Sequence, residues 1–91
     1  MEVLRFTASW CQPCKALVQQ LNELELNEYI TVIDIDEQPE VAKQYGVRTV
    51  PMLIIMDNNK EVSRLRGVRA KDLLIDWFPK TINNNIVKFN N

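Results

Sequence analysis

The sequence predicts an α/β fold: a four-stranded mixed sheet with helices on both faces, in the minimal order β-α-β-α-β-β-α. Three observations carry this. Apolar, β-branched runs at residues 2–8, 29–35 and 52–56 read as strands. A leucine series at helical spacing separates the first two runs, which predicts a parallel pair joined by a helical crossover. Asp57, Asn58 and Asn59 sit between MLIIM and EVSRLR, as the turn of an antiparallel hairpin would.

The elements follow in order. EVLRFTA (2–8) is strand-like throughout, with Arg5 the exception. From Gln12 the period changes. Leu17, Leu21 and Leu24 recur at i, i+4 and i+7 with polar residues between them, which predicts an amphipathic helix. YITVIDI (29–35) reads as a buried strand. Asp36, Glu37 and Gln38 as polar caps, with Pro39 at the first turn, open a short helix that runs to about Tyr45 and stops at Gly46, a natural residue past a helix end. Residues 47–51 link to the third strand at 52–56, and the fourth, 61–66, alternates its faces up to Gly67. A last helix is predicted at 70–78, with Leu73, Leu74, Trp77 and Phe78 on one face, until Pro79 breaks it. Residues 1–79 form one domain on this reading, and KTINNNIVKFNN (80–91) is an asparagine-rich tail, frayed or docked.

Composition narrows the function classes. A chain of 91 residues is one small domain, burying about 60–65% of the surface it exposes when unfolded. A net charge of −1 argues against a general nucleic-acid binder. The opening MEVLRFTASW lacks the charged and long apolar regions of a secretion signal. No apolar run reaches the roughly 20 residues of a membrane span. The expectation is a cytoplasmic monomer without a membrane partner, in which a permanent disulfide is disfavoured. Histidine is absent, so Cys–His and Ser–His–Asp catalysis and histidine-bearing metal sites are excluded.

Both cysteines lie in Trp10–Cys11–Gln12–Pro13–Cys14–Lys15, between a strand and a helix. Residues i and i+3 of a helical turn stand roughly 5–6 Å apart, within reach of a disulfide. At the helix start, unpaired N–H groups and the helix dipole favour a thiolate on Cys11. Cys14, one turn inside, would be shielded while Cys11 stays accessible. Pro13 is tolerated because a first-turn N–H is unpaired in any case. The competing readings are a zinc site, which needs four ligands and has two here without a second copy, and two core cysteines spaced by chance. The position between strand and helix favours a redox pair.

WCQPCK after a strand resembles the thioredoxin active site, usually WCGPCK, and VIDIDEQPEVAKQYGVRTVPMLIIM resembles the second half of that family, the likeness covering about residues 2–78. The resemblance implies a thioredoxin-like fold and a thiol–disulfide oxidoreductase. By position, Cys11 is the nucleophile and Cys14 the resolving thiol. Trp10, Gln12 and Pro13 flank the site, Pro51 is cis with Val50 presenting backbone groups to a substrate chain, and Gly67 lies in a third contacting loop. No bound cofactor or metal is implied. The Cys11–Cys14 disulfide is itself the redox centre, re-reduced by thioredoxin reductase or an equivalent donor after reducing disulfide-containing target proteins.

Four departures qualify the likeness. The chain starts at the strand leading into the active site, a glutaredoxin-sized frame. Gln12 replaces the usual glycine, in the dipeptide that helps set redox poise. Arg5 and Val32 stand where thioredoxins carry a buried Asp and its Lys. An unpaired buried arginine is costly, so Arg5 is expected either to pair with Asp34 or to reach solvent. Arg5, Asp34 and Lys15 are thus the candidates for electrostatic tuning of the thiols. Last, RGVRAKDLL lacks the glycine pair and acceptors with which glutaredoxins hold glutathione.

Charge is also uneven. Residues 60–71 hold Lys60, Arg64, Arg66, Arg69 and Lys71 against Glu61 alone, whereas residues 23–40 hold seven acids and no base. The basic stretch is either a steering surface for acidic partners or a solvated face. Two other functions compete with the protein disulfide reductase: a glutathione-dependent glutaredoxin-like reductase, and a non-catalytic subunit binding proteins through the same face.

Overall fold

The computed structural model describes residues 1–79; the tail at 80–91 lies outside the described residues. The strands are β1 (Glu2–Thr7), β2 (Ile30–Asp34), β3 (Met52–Asp57) and β4 (Lys60–Arg66), and the helices α1 (Gln12–Glu23), α2 (Pro39–Gln44) and α3 (Lys71–Trp77). A 3-10 turn, Asn27–Tyr29, leads into β2. The sheet order is β2-β1-β3-β4. β1 and β2 run parallel, while β3 is antiparallel to both β1 and β4. This is the mixed sheet and element order that the sequence predicts.

Alternation along β1 and β3 divides the core in two. Val3, Leu53 and Ile55 face α1 and α3, packing with Leu17, Leu21, Leu26, Leu74 and Phe78. Leu4, Phe6, Ile54 and Met56 face the other way, with Ile33 of β2 and Ala42 of α2. Both central strands are thus buried on both faces, which explains their unbroken apolar runs. Deleting a fully buried side chain such as Leu17 or Leu53 costs about 2–5 kcal/mol.

Helix ends follow local chemistry. After α1 the chain makes a Schellman turn: Leu26 N–H donates to Leu21 O at 2.9 Å and Glu25 N–H to Asn22 O at 3.0 Å. Glu25 takes a φ of 58° there, a value that suits glycine. The same turn closes α2, with Val47 N–H to Ala42 O at 2.8 Å, Gly46 N–H to Lys43 O at 3.1 Å, and Gly46 at φ 66°. Between β3 and β4, Asn58 and Asn59 both adopt left-handed φ values, as a two-residue hairpin turn requires.

The structure corrects several expectations. β2 is an edge strand among the described residues, and only Ile33 in it is buried. β-Branched runs read alike at the centre and at the edge of a sheet, so the sequence could not separate them. Alternation in β4 is broken by a bulge: Ile55 pairs with Ser63 and Met56 with Glu61, leaving Val62 without a partner residue. On α3, Leu74 and Phe78 are buried, but Leu73 is 46% exposed. α2 has no side-chain cap: its N-cap, Gln38, makes no cap bond, and in the turn before the helix the Asp34 carboxylate accepts the amides of Asp36 at 2.8 Å and Glu37 at 3.2 Å.

Candidate active site

β1 delivers the chain to a short turn in which Cys11 N–H donates to Ala8 O at 3.2 Å. Cys11 then serves as N-cap of α1, with extended φ and ψ of −93° and 108°, and Pro13 lies in the first turn. Its Sγ accepts the Cys14 amide at 3.2 Å. The sulfur therefore occupies the place of a capping oxygen, facing free N–H groups and the positive end of the helix dipole. The two Cα atoms are 5.3 Å apart and the side chains form a disulfide. No free cysteine remains.

Ala8, Ile35 and Val50 pack against the pair. Cys11 is 5% exposed and Cys14 1%. Cys14 is shielded as expected, but Cys11, expected to stay accessible, is buried as well, packed in the same cluster. Cys11 Sγ lies 3.7 Å from the Val50 carbonyl oxygen, which can accept a hydrogen bond from the thiol once the pair is reduced. The Val50–Pro51 peptide is cis. Pro51 O in turn accepts the Gly67 amide at 2.9 Å. Three segments distant in sequence, 10–14, 50–51 and 67, are thus linked through these contacts.

Trp10 is 64% exposed beside the disulfide. Its indole N–H donates to Asp36 Oδ2 at 2.8 Å. Gln12, Pro13 and Lys15 are exposed around the helix start. Sequence reasoning missed Asp36 and Ile35 as parts of this site. Asp36 looked like a helix cap, and nothing local signals a partner 26 residues away.

Arg5 departs from expectation. It is 7% exposed, yet among the described residues it forms no ion pair, and its Nε is buried without a hydrogen-bond partner. Asp34, the expected partner, is occupied with the turn amides of Asp36 and Glu37. Burial lowers the Arg5 pKa from its ordinary value. Among the described residues no group of three or more His, Cys, Asp or Glu is placed to hold a metal ion.

The family model for thioredoxin matches residues 1–80. This chain belongs to the thioredoxin family. Thioredoxin from Rickettsia typhi is 34% identical over 84 residues, spanning 88% of this chain and 80% of that protein. Thioredoxin from Chlamydia caviae is 42% identical over 76 residues, spanning 80% and 74%. The solved structure of thioredoxin 1 from Thermosipho africanus matches with a TM-score of 0.71 at 29% identity, over the whole of both chains. With the Cys11–Cys14 pair at a helix start, the chain is a dithiol disulfide oxidoreductase of thioredoxin type. The glutathione-dependent and non-catalytic readings are not favoured. Thioredoxins work through a redox-active disulfide without an external cofactor, and the family in general has disulfide-bearing targets and a reductase donor.

Proposed function

We propose that this protein reduces disulfides of target proteins as a monomer, with Cys11 as nucleophile and Cys14 as resolving thiol. The Cys11 thiolate attacks one target sulfur, and the other leaves as a thiolate that takes a proton from water. Cys14, having given its proton to solvent, attacks Cys11 Sγ and expels the second target sulfur as a thiolate, which solvent protonates. The target gains two electrons and two protons, and the Cys11–Cys14 pair loses them. A thioredoxin reductase or an equivalent dithiol donor restores the pair.

One observation carries the reading: Cys11 Sγ is both the cap acceptor of α1 and the sulfur next to the Val50 carbonyl. A nucleophile held there meets an extended target chain laid along Val50 and Pro51, with Trp10 and Gly67 as flanking contacts and Gln12 and Pro13 at the rim. Arg5 and Lys15 add positive charge that favours thiolate.

The test is a trap. Cys14→Ser, reduced and mixed with a disulfide-bonded protein, is expected to accumulate a mixed disulfide through Cys11 that dithiothreitol reverses. Wild-type protein is expected to turn over with NADPH and thioredoxin reductase, and not with glutathione and glutathione reductase. Absence of the trapped species, or turnover with glutathione alone, overturns the reading.

A further inference from the structure

A groove of about 590 Å³ runs between the loop after α2 and the outward face of β4, and Arg48, Thr49, Arg64, Arg66 and Arg69 line it. β4 sets two of these arginines. Arg64 pairs with Ile54 and Arg66 with Met52, residues of the α2-side core, so both arginines stand on the α2 side of the sheet. Arg64 is already engaged, bonded to both carboxylate oxygens of Glu61 and donating to Tyr45 O at 2.8 Å. Arg48, Arg66 and Arg69 are exposed and form no ion pair among the described residues. A solvated face intersperses charges of both signs; here three guanidinium groups without acids share one concavity.

Its location is the second observation. Thr49 directly precedes Val50, whose carbonyl lies 3.7 Å from Cys11 Sγ. Arg69 follows two residues after Gly67, whose amide is bonded to Pro51 O. The groove therefore begins where the substrate-facing loops end.

Building on the reductase reading, we infer that this groove receives an acidic stretch of the target protein. The preferred substrates are disulfides with Asp or Glu within roughly two to four positions of the reacting cysteine, at about 3.3 Å per extended residue. Carboxylates there meet planar guanidinium groups that can bind them in a bidentate fashion.

The experiment compares two disulfide-containing peptides that differ only in flanking Asp and Glu against Asn and Gln. Pre-reduced protein, freed of reductant, is mixed with each, and the second-order rate constant of thiol release is measured. At low ionic strength the acidic peptide is expected to react about tenfold faster, and the ratio falls towards one in roughly 0.5 M salt. Arg66→Gln and Arg69→Gln each shrink the ratio, and Arg48→Gln/Arg66→Gln/Arg69→Gln abolishes it; the single variants serve if the triple variant does not fold. Equal rates for the two peptides in the wild type, or a preference that the variants keep, overturns the inference. So does loss of the preference on adding millimolar phosphate at fixed ionic strength, which would make the groove a small-anion site. Failure to react with either peptide would instead sink the reductase reading.

Discussion

Cys14 donates its backbone N–H to Cys11 Sγ at 3.2 Å, so the outer sulfur of the pair is also the N-cap of α1. A cap acceptor is best when it is negative. The reduced protein is therefore expected to react with iodoacetamide at Cys11 from a lower pH than free cysteine does. Cys11→Ser keeps a capping oxygen and is expected to hold stability within about 0.5 kcal/mol of the reduced wild type, while Cys11→Ala loses the cap, at about 1 kcal/mol. Urea unfolding under reducing conditions measures both. Equal losses for Ser and Ala would refute the capping role.

Trp10 exposes most of its ring, yet its N–H is fixed by Asp36. A large, orientated apolar plate beside a reactive disulfide adds little to folding and much to partner contact. Trp10→Ala is expected to change stability by less than about 1 kcal/mol. It should slow reduction of a protein disulfide about tenfold and that of a small aromatic disulfide far less. Asp36→Asn keeps an acceptor for the indole and should fall between Trp10→Ala and wild type. A uniform loss on large and small disulfides would assign Trp10 to the chemistry and not to the contact.

The parts of the site legible in sequence are those whose signals are local. Cys11, Pro13 and Cys14 declare a helix start by their spacing, and Gly46 declares a helix end. The convergence of Val50, Pro51 and Gly67 on the cysteines was readable only through resemblance, because no local pattern reports which loops meet. What stayed hidden is non-local by nature. The bulge that strands Val62 depends on pairing between two strands. The bond from Trp10 to Asp36 spans 26 residues. Leu26 escaped the helical series because it packs back only after the chain reverses at Glu25. Arg5 was flagged from sequence as an anomaly, but the competing claim of the turn amides on Asp34 needed coordinates.

Arg5 has a testable cost. Its folded pKa is depressed by burial, so the charged form is penalised in the native state. A depressed base gains stability only as the pH climbs towards its unfolded pKa, far into alkaline conditions. At neutral pH the penalty is present in full, and it is flat from about pH 5 to 9. Arg5→Met, apolar and of similar length, is expected to stabilise the protein by about 1–2 kcal/mol, equally at both ends of that range. If Arg5 also favours the thiolate, the same variant moves the onset of Cys11 alkylation to higher pH. A destabilised Arg5→Met would mean that the guanidinium is held by contacts stronger than its burial penalty.

Three left-handed backbone positions make a matched set, since two carry glycine and one does not. Gly46 and Gly67 have φ of 66° and 77°, and an added Cβ meets no atom within 4 Å at either. Their substitution by alanine is therefore a backbone test alone, and each is expected to cost about 1–2 kcal/mol. Glu25 occupies the same kind of position after α1 at φ 58°. Glu25→Gly removes that strain but adds freedom to the unfolded chain, for a net gain of up to about 1 kcal/mol. Activity separates them further. Gly67 donates to Pro51 O beside the disulfide, so Gly67→Ala should slow target reduction by roughly tenfold as the loop shifts. Glu25→Gly lies at the far end of α1 and should leave the rate unchanged. Thermal unfolding and a single-turnover reduction assay on the same preparations read both effects. Gly67→Ala with wild-type kinetics would reduce Gly67 to a turn residue with no part in substrate contact.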